Sequence, residues 1–196
     1  MNNFDLTKFD VPKFDAILVR GLSAGKGEQE GQMCIEAAIC ATLGLPHGDD
    51  PGCVAVSVRS FKIALNDRNW SSPQARAAGL RDLGLAQLGS QGTVDSVEFS
   101  KRLSHKVISI LLPMFIRELF PLNQTLLDAA IVCEKEGTSA SARALYTAAV
   151  SAAYAGGDKY LLLDAKLALD VLKELNSPGV ALLNTGELMR QGVSNG

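Results

Sequence analysis

Histidine and tryptophan are scarce in this chain, with two of the former and one of the latter in 196 residues. So short a supply of histidine excludes the all-helical phosphohydrolases that hold their metals with a histidine cluster. The four cysteines, at 34, 40, 53 and 133, include no CxxC pair. That spacing excludes a structural zinc knuckle and a disulfide-stapled secreted domain, so reduced thiols are expected. A basic excess is also missing: 19 lysines and arginines face 21 acids, for a formal charge of −2 and a pI near 5.7. Bulk nucleic-acid binding, which needs a basic face, is therefore not expected. The stretch "VISILLPMFI" is too short to span a bilayer and contains Pro113. The opening "MNNFDLTKFD" has the pattern of neither a signal nor a transit peptide, so the expected setting is the cytoplasm, with no membrane partner. Alternating runs of β-branched residues are nearly absent, which argues against sheet.

What remains is apolar, at 47%, and heavily punctuated for helices. "SSPQAR" places Ser72 as an N-cap before Pro73, and Gly89 ends that helix. "DSVE" pairs Asp95 with Glu98 ahead of Phe99, Leu103, Val107, Ile110 and Met114, a long helix that Pro113 should kink or end. "EGTSAS", "AGGD" and "NSPG" repeat the device further on. The expectation is an all-α bundle of seven to nine helices. Residues 1–20 form an arm, anchored by Phe4, Phe9 and Phe14, and a short helix from Pro12. Residues 21–92 form a helical part with the unusual loops, and 93–196 a regular helical part with an Ala-rich helix near 139–155. A soft boundary falls at "GSQGT". The loop "GLSAGKGEQEG" fails as a phosphate loop, because only three residues separate Gly21 from Gly25 and Gly27 follows Lys26.

Wound at 3.6 residues per turn, residues 32–43 are apolar around almost the whole circumference, which predicts a helix buried on all sides. Glu36 is the exception, and a carboxylate in such a place needs a cation, a metal or a proton. Residues 54–66 predict a second buried helix, with Val54, Val58, Phe61 and Leu65 on one face and Val56 and Ile63 on the other. Arg59, Lys62 and Asn66 fall between them, within an arc of about 60°. They either snorkel to solvent or turn with Glu36 into a polar pocket. The loop "GLPHGDDPGC" joins the two helices. Asp50 and Pro51 read as the N-cap and first residue of the second helix; His47 and Asp49 are left unexplained by capping.

Three chemistries fit these residues. A thiol nucleophile would be Cys53 with His47 as base, since Cys34 and His47 sit near opposite ends of the first helix. A divalent metal would take His47 and Asp49, with Glu36. A non-catalytic site would gather Arg59, Lys62, Arg20 and Lys26 into a cationic pocket, with Asn66, Glu36 and His47 around it and Trp70 offering a flat ring. Trp70 also fits a staple that holds the Ser72 cap.

The run "GQMCIEAAICATLGLPHGDDPGCVAVSVRSFKIALND", continued by "WSSPQARAAGLRDLGLAQLGS", resembles a group of small proteins from bacteriophages and some bacteria, many with an Ala-rich helical tail. That resemblance implies a phage or bacterial cytoplasmic setting and brings no activity or catalytic residue with it. Small phage proteins include inhibitors of host defence that sequester signalling nucleotides. The expectation is a binding protein without turnover or cofactor, taking a small anionic ligand or a host protein. A hydrolase using Cys53 and His47, or a metal at His47 and Asp49, is the alternative. A module that forms homo-oligomers through the Ala-rich helix is the next.

Overall fold

The computed structural model describes residues 4–145 and 157–184. Among them are nine α-helices and no strand, in agreement with the all-α expectation. None of these helices is long and apolar enough to cross a membrane. In chain order they are α1 (Val11–Leu18), α2 (Ile35–Thr42), α3 (Val56–Asn66), α4 (Pro73–Ala86), α5 (Ser96–Lys106), α6 (Leu112–Leu119), α7 (Gln124–Glu136), the single turn α8 (Ser139–Ala142) and α9 (Gly157–Glu174).

Local chemistry explains most of the helix starts. Ser72 Oγ accepts from the Ala75 N–H and Asp95 from those of Val97 and Glu98, as the sequence predicts. Gly137, in the left-handed region at φ 60°, closes α7, and Thr138 caps α8. Pro113 does not break its helix. The widened π segment Val107–Leu111 joins α5 to α6 and absorbs the hydrogen bond that proline cannot donate. The predicted Ala-rich helix near 139–155 is described only as α8 and the 3-10 turn Arg143–Leu145; the rest lies outside the described residues.

The main core draws on both sides of the 89–93 stretch. Phe14, Leu22, Ile35, Ile39, Val58, Leu80 and Leu83 pack in one cluster with Phe99, Leu103, Ala168 and Val171. Phe9 and Phe14 of the N-terminal arm meet edge to face, 5.4 Å between ring centres, and Phe4 packs against the same cluster. A smaller cluster of Phe115, Ile116, Ala130, Cys133, Leu145 and Tyr160 lies under α6 and α7. Helix α4 organises the main core. Arg81 grips Asp15 of α1 through two hydrogen bonds of 2.7 and 2.8 Å, and Gly179 N donates to Leu88 O at 2.8 Å. Gly79 leaves room for Trp70, whose ring would lie 2.5 Å from any added Cβ.

Helix α9 packs along α4 and carries a partly buried acid, Asp164. Burial raises the Asp164 carboxyl to about 6 against a weaker opposing pull from Arg68, and its Oδ1 has no hydrogen-bond partner. The folded chain therefore binds this proton more tightly than the unfolded chain does. The cost of the buried charge is fully present above pH 6, and stability rises as pH falls from 6 towards 4. Asp164→Asn should stabilise the protein by roughly 1–3 kcal/mol at pH 7.5 and lose most of that advantage near pH 4, checked by urea unfolding at both pH values.

Candidate functional site

Helix α2 starts at Ile35 rather than near Gln32. Met33, predicted inside the helix, bridges to Leu22 and Gly27 instead, and Cys34 takes the cap, its Sγ accepting from the Ala37 N–H at 3.4 Å. Asn66 of α3 supports the same end, its Oδ1 accepting from the Ile35 N–H at 3.3 Å while Nδ2 donates to Ser23 O at 2.9 Å. From Ile35 to Cys40 every residue of α2 is buried.

Glu36 therefore lies in the core with 0% exposure, and Lys62 of α3, also at 0%, meets it at 3.0 Å. Gln87, at the end of α4, donates its amide to both Glu36 oxygens at 3.2 and 3.0 Å. Burial pushes the Glu36 carboxyl up and the Lys62 amine down, and the attraction between them opposes both shifts. The island is not fully satisfied: Lys62 Nζ makes no aligned hydrogen bond, and Gln87 Oε1 has no partner.

Of the other residues of the predicted cationic pocket, Lys26 shares a small cavity with Glu36 and Asn66, and Arg59, Arg20 and Trp70 are not in its lining. Helix α3 starts at Val56, so Asp50 and Pro51 do not begin it; Asp50 accepts from Gly52 N at 3.0 Å and pairs with Arg59. Arg59 uses that carboxylate to reach the surface, and its pull holds Asp50 below the usual carboxylate range. The second apolar face of α3 is not buried either, since Val56 is 59% exposed. Lys26 sits 3.9 Å from Asp49, both largely in solvent. Arg20 is exposed, and only its backbone carbonyl is engaged nearby, by Gln32. Trp70 offers no ring to a ligand: it is 5% exposed and its Nε1 donates to Leu65 O at 3.0 Å. The staple alternative describes it better.

His47 acts as a strut between loops. Its Nε2 lies 3.3 Å from Gly27 O, and since a carbonyl only accepts, Nε2 carries the hydrogen. The thiol of Cys53 is buried and pushed up by that burial, as is that of Cys34, while Cys40 rises to about 11. These shifts work against a nucleophile at neutral pH. Among the described residues no three of His, Cys, Asp and Glu are grouped to hold a metal, which also leaves the His47 and Asp49 alternative without a third ligand. The cavity at this place measures about 90 Å³ and is lined by Lys26, Cys34, Glu36, Asp49, Asn66 and Asp67 among others. It takes a molecule of a few heavy atoms, with no room for a nucleotide.

A larger space lies on the other half of the chain. A groove of about 890 Å³ runs along α5 and is closed on its far side by the end of α7 and the start of α8. Lys101, Arg102, His105 and Lys106 line one wall, with Glu98, Glu136 and Glu174 among the acids around them. Glu174 holds Lys106 at 2.9 Å and Arg102 at 3.5 Å; Lys101 has no carboxylate partner among the described residues. His105 Nδ1 donates to Gly137 O at 3.2 Å, which joins the two walls. The sequence signal was the run "KRLSHK", which reads as the solvated side of an amphipathic helix. The second wall arrives some thirty positions later in the chain, where no periodicity reports it.

No protein-family model, curated protein or solved structure matches this chain, so the resemblance to small phage and bacterial proteins rests on the quoted residues alone.

Proposed function

We propose that the protein is a binding protein without turnover, that its ligand is a small anionic molecule of nucleotide size, and that the ligand occupies the groove along α5. The observation that carries this reading is the contrast between the two spaces. The cavity beside Glu36 is small, and the cations expected to serve it, Arg59 and Lys62, already hold carboxylates. The groove has ligand-scale volume, and Lys101 in its wall pairs with no carboxylate among the described residues. A phosphate would sit at Lys101, within reach of His105, and the N–H or O–H groups of a base or sugar would find Glu136 across the groove. The raised thiols and the strut role of His47 favour binding over the hydrolase alternative. In the phage or bacterial setting that the resemblance implies, the protein would act in the host cytoplasm and withdraw a signalling nucleotide from a host response.

A panel of mono-, di- and cyclic nucleotides, screened by thermal shift, tests this. At least one member should raise Tm for the wild type and for Arg59→Ala, and Lys101→Ala should lose the rise. Stabilisation that survives Lys101→Ala and disappears in Arg59→Ala would return the site to the 44–53 loop; no stabilisation by any member would reject the anion reading. A host protein is the second reading, favoured by Val97, which is 77% exposed at the rim of the groove.

A further inference from the structure

We propose that the groove along α5 selects nucleotides that carry a single phosphate over those that carry a chain of phosphates, and that His105 adds a proton-dependent contact to that phosphate. This deepens, and rests on, the reading of the groove as a nucleotide site. The charged groups that line it with His105 come from three helices: Glu98, Lys101, Arg102 and Lys106 from α5, Glu136 from α7 and Glu174 from α9. Three cations and three acids sum to zero with the imidazole neutral, whatever pairs they form. Arg102 is held by Glu98 at 2.7 Å and by Glu174 at 3.5 Å, and Lys106 by Glu174 at 2.9 Å. Turning either cation towards a phosphate therefore leaves a bare carboxylate beside it. Lys101 alone of the three has no carboxylate to release among the described residues.

Position favours one phosphate as well. Lys101 and His105 are four residues apart on α5, so their side chains are neighbours on one stripe, and Val97, 77% exposed, lies one turn earlier. A phosphate at Lys101 then has His105 on one side and an apolar surface for a base or sugar on the other. Each further phosphate adds about one negative charge or more, in a groove with no net positive charge and on a chain of formal charge −2. His105 Nδ1 donates to Gly137 O at 3.2 Å, and any Cβ on Gly137 would lie 2.1 Å from that nitrogen. With Nδ1 committed as the donor, the neutral ring leaves Nε2 as an acceptor, which repels a phosphate oxygen. A proton on Nε2 turns it into a charged donor.

The test is isothermal titration calorimetry on the full chain with AMP, ADP and ATP and their guanine counterparts, in buffer free of divalent cations. For the base that binds, the monophosphate should bind at least roughly threefold more tightly than the triphosphate, and Lys101→Ala should lose the binding. Lowering the pH from 8 to 6.5, where a phosphate monoester keeps most of its second charge, should tighten monophosphate binding by about threefold as the complex takes up a proton at His105. His105→Asn keeps an N–H for Gly137 O but cannot titrate, so it should remove that gain. A triphosphate that binds as tightly as the monophosphate, and is lost in Lys101→Ala, would overturn the phosphate count and leave the nucleotide reading standing. A pH gain unchanged in His105→Asn would overturn the role of the ring. No binding by any of the six compounds, or binding that survives Lys101→Ala, would reject the groove reading and this inference with it.

Discussion

Lys62→Ala is expected to cost about 3–5 kcal/mol at pH 7, among the largest losses any single substitution in this chain should produce. The reason is what it leaves behind. Glu36 would keep Gln87 as its one close polar partner, a neutral amide, in a core with no access to bulk water. Its carboxyl, already pushed up by burial, would rise further once the opposing attraction of Lys62 is gone. A raised carboxyl in the folded state means that folding takes up a proton, so the variant should recover part of its stability as pH falls. Urea unfolding at pH 7.5 and pH 5 should show the wild type ahead by a wide margin at the first and a narrower one at the second. A loss that is small and equal at both would place the Glu36 carboxylate in solvent.

Trp70→Ala is expected to cost a similar amount, about 3–5 kcal/mol. The ring fills the space that Gly79 leaves open on α4, and its Nε1 satisfies Leu65 O near the end of α3. Truncation empties that space and removes one donor to Leu65 O, which keeps the Arg68 N–H at 3.3 Å. Trp70→Phe keeps most of the volume and loses the hydrogen bond, so roughly 1–2 kcal/mol is expected. Circular dichroism in urea measures both variants, since each removes the one tryptophan. In the wild type the emission should be that of a shielded indole and should not shift when a ligand binds. A ligand-dependent shift, with stability unchanged in Trp70→Ala, would restore the stacking role.

The two results fall on residues that the sequence treats differently. Glu36 and Lys62 were legible, because winding two apolar segments at helical period leaves one acid and a short basic row with no water to face. Their contact at 3.0 Å follows from two helices adjoining in a small fold. Arg59, one turn earlier on the same row, escaped that logic because Asp50 lies close enough to draw it outward. Asp50 and Pro51 have the chemistry of a helix start, and local propensity alone cannot see that a long-range ion pair claims the carboxylate first. Similarly, Met33 has helical periodicity, yet its backbone is taken by the bridges to Leu22 and Gly27. Trp70 beside Ser72 and Pro73 permitted two readings, and the missing Cβ of Gly79, nine positions on, decides for the core. Pro113 announced a distortion but not its form, since a π segment depends on which neighbours α5 and α6 must both reach. The groove was least legible, because one wall is the polar side of α5 and the other comes from a distant turn.

The account rests on Glu36 and Lys62 being energetic partners inside the core. A double-mutant cycle with Glu36→Gln, Lys62→Met and the pair together, followed by urea unfolding at pH 7, measures this directly. Each single variant should be markedly less stable than the wild type, and the double variant should regain on the order of 2 kcal/mol relative to the sum of the two losses. Losses that simply add would contradict the account, because they would mean that the acid and the amine do not depend on each other.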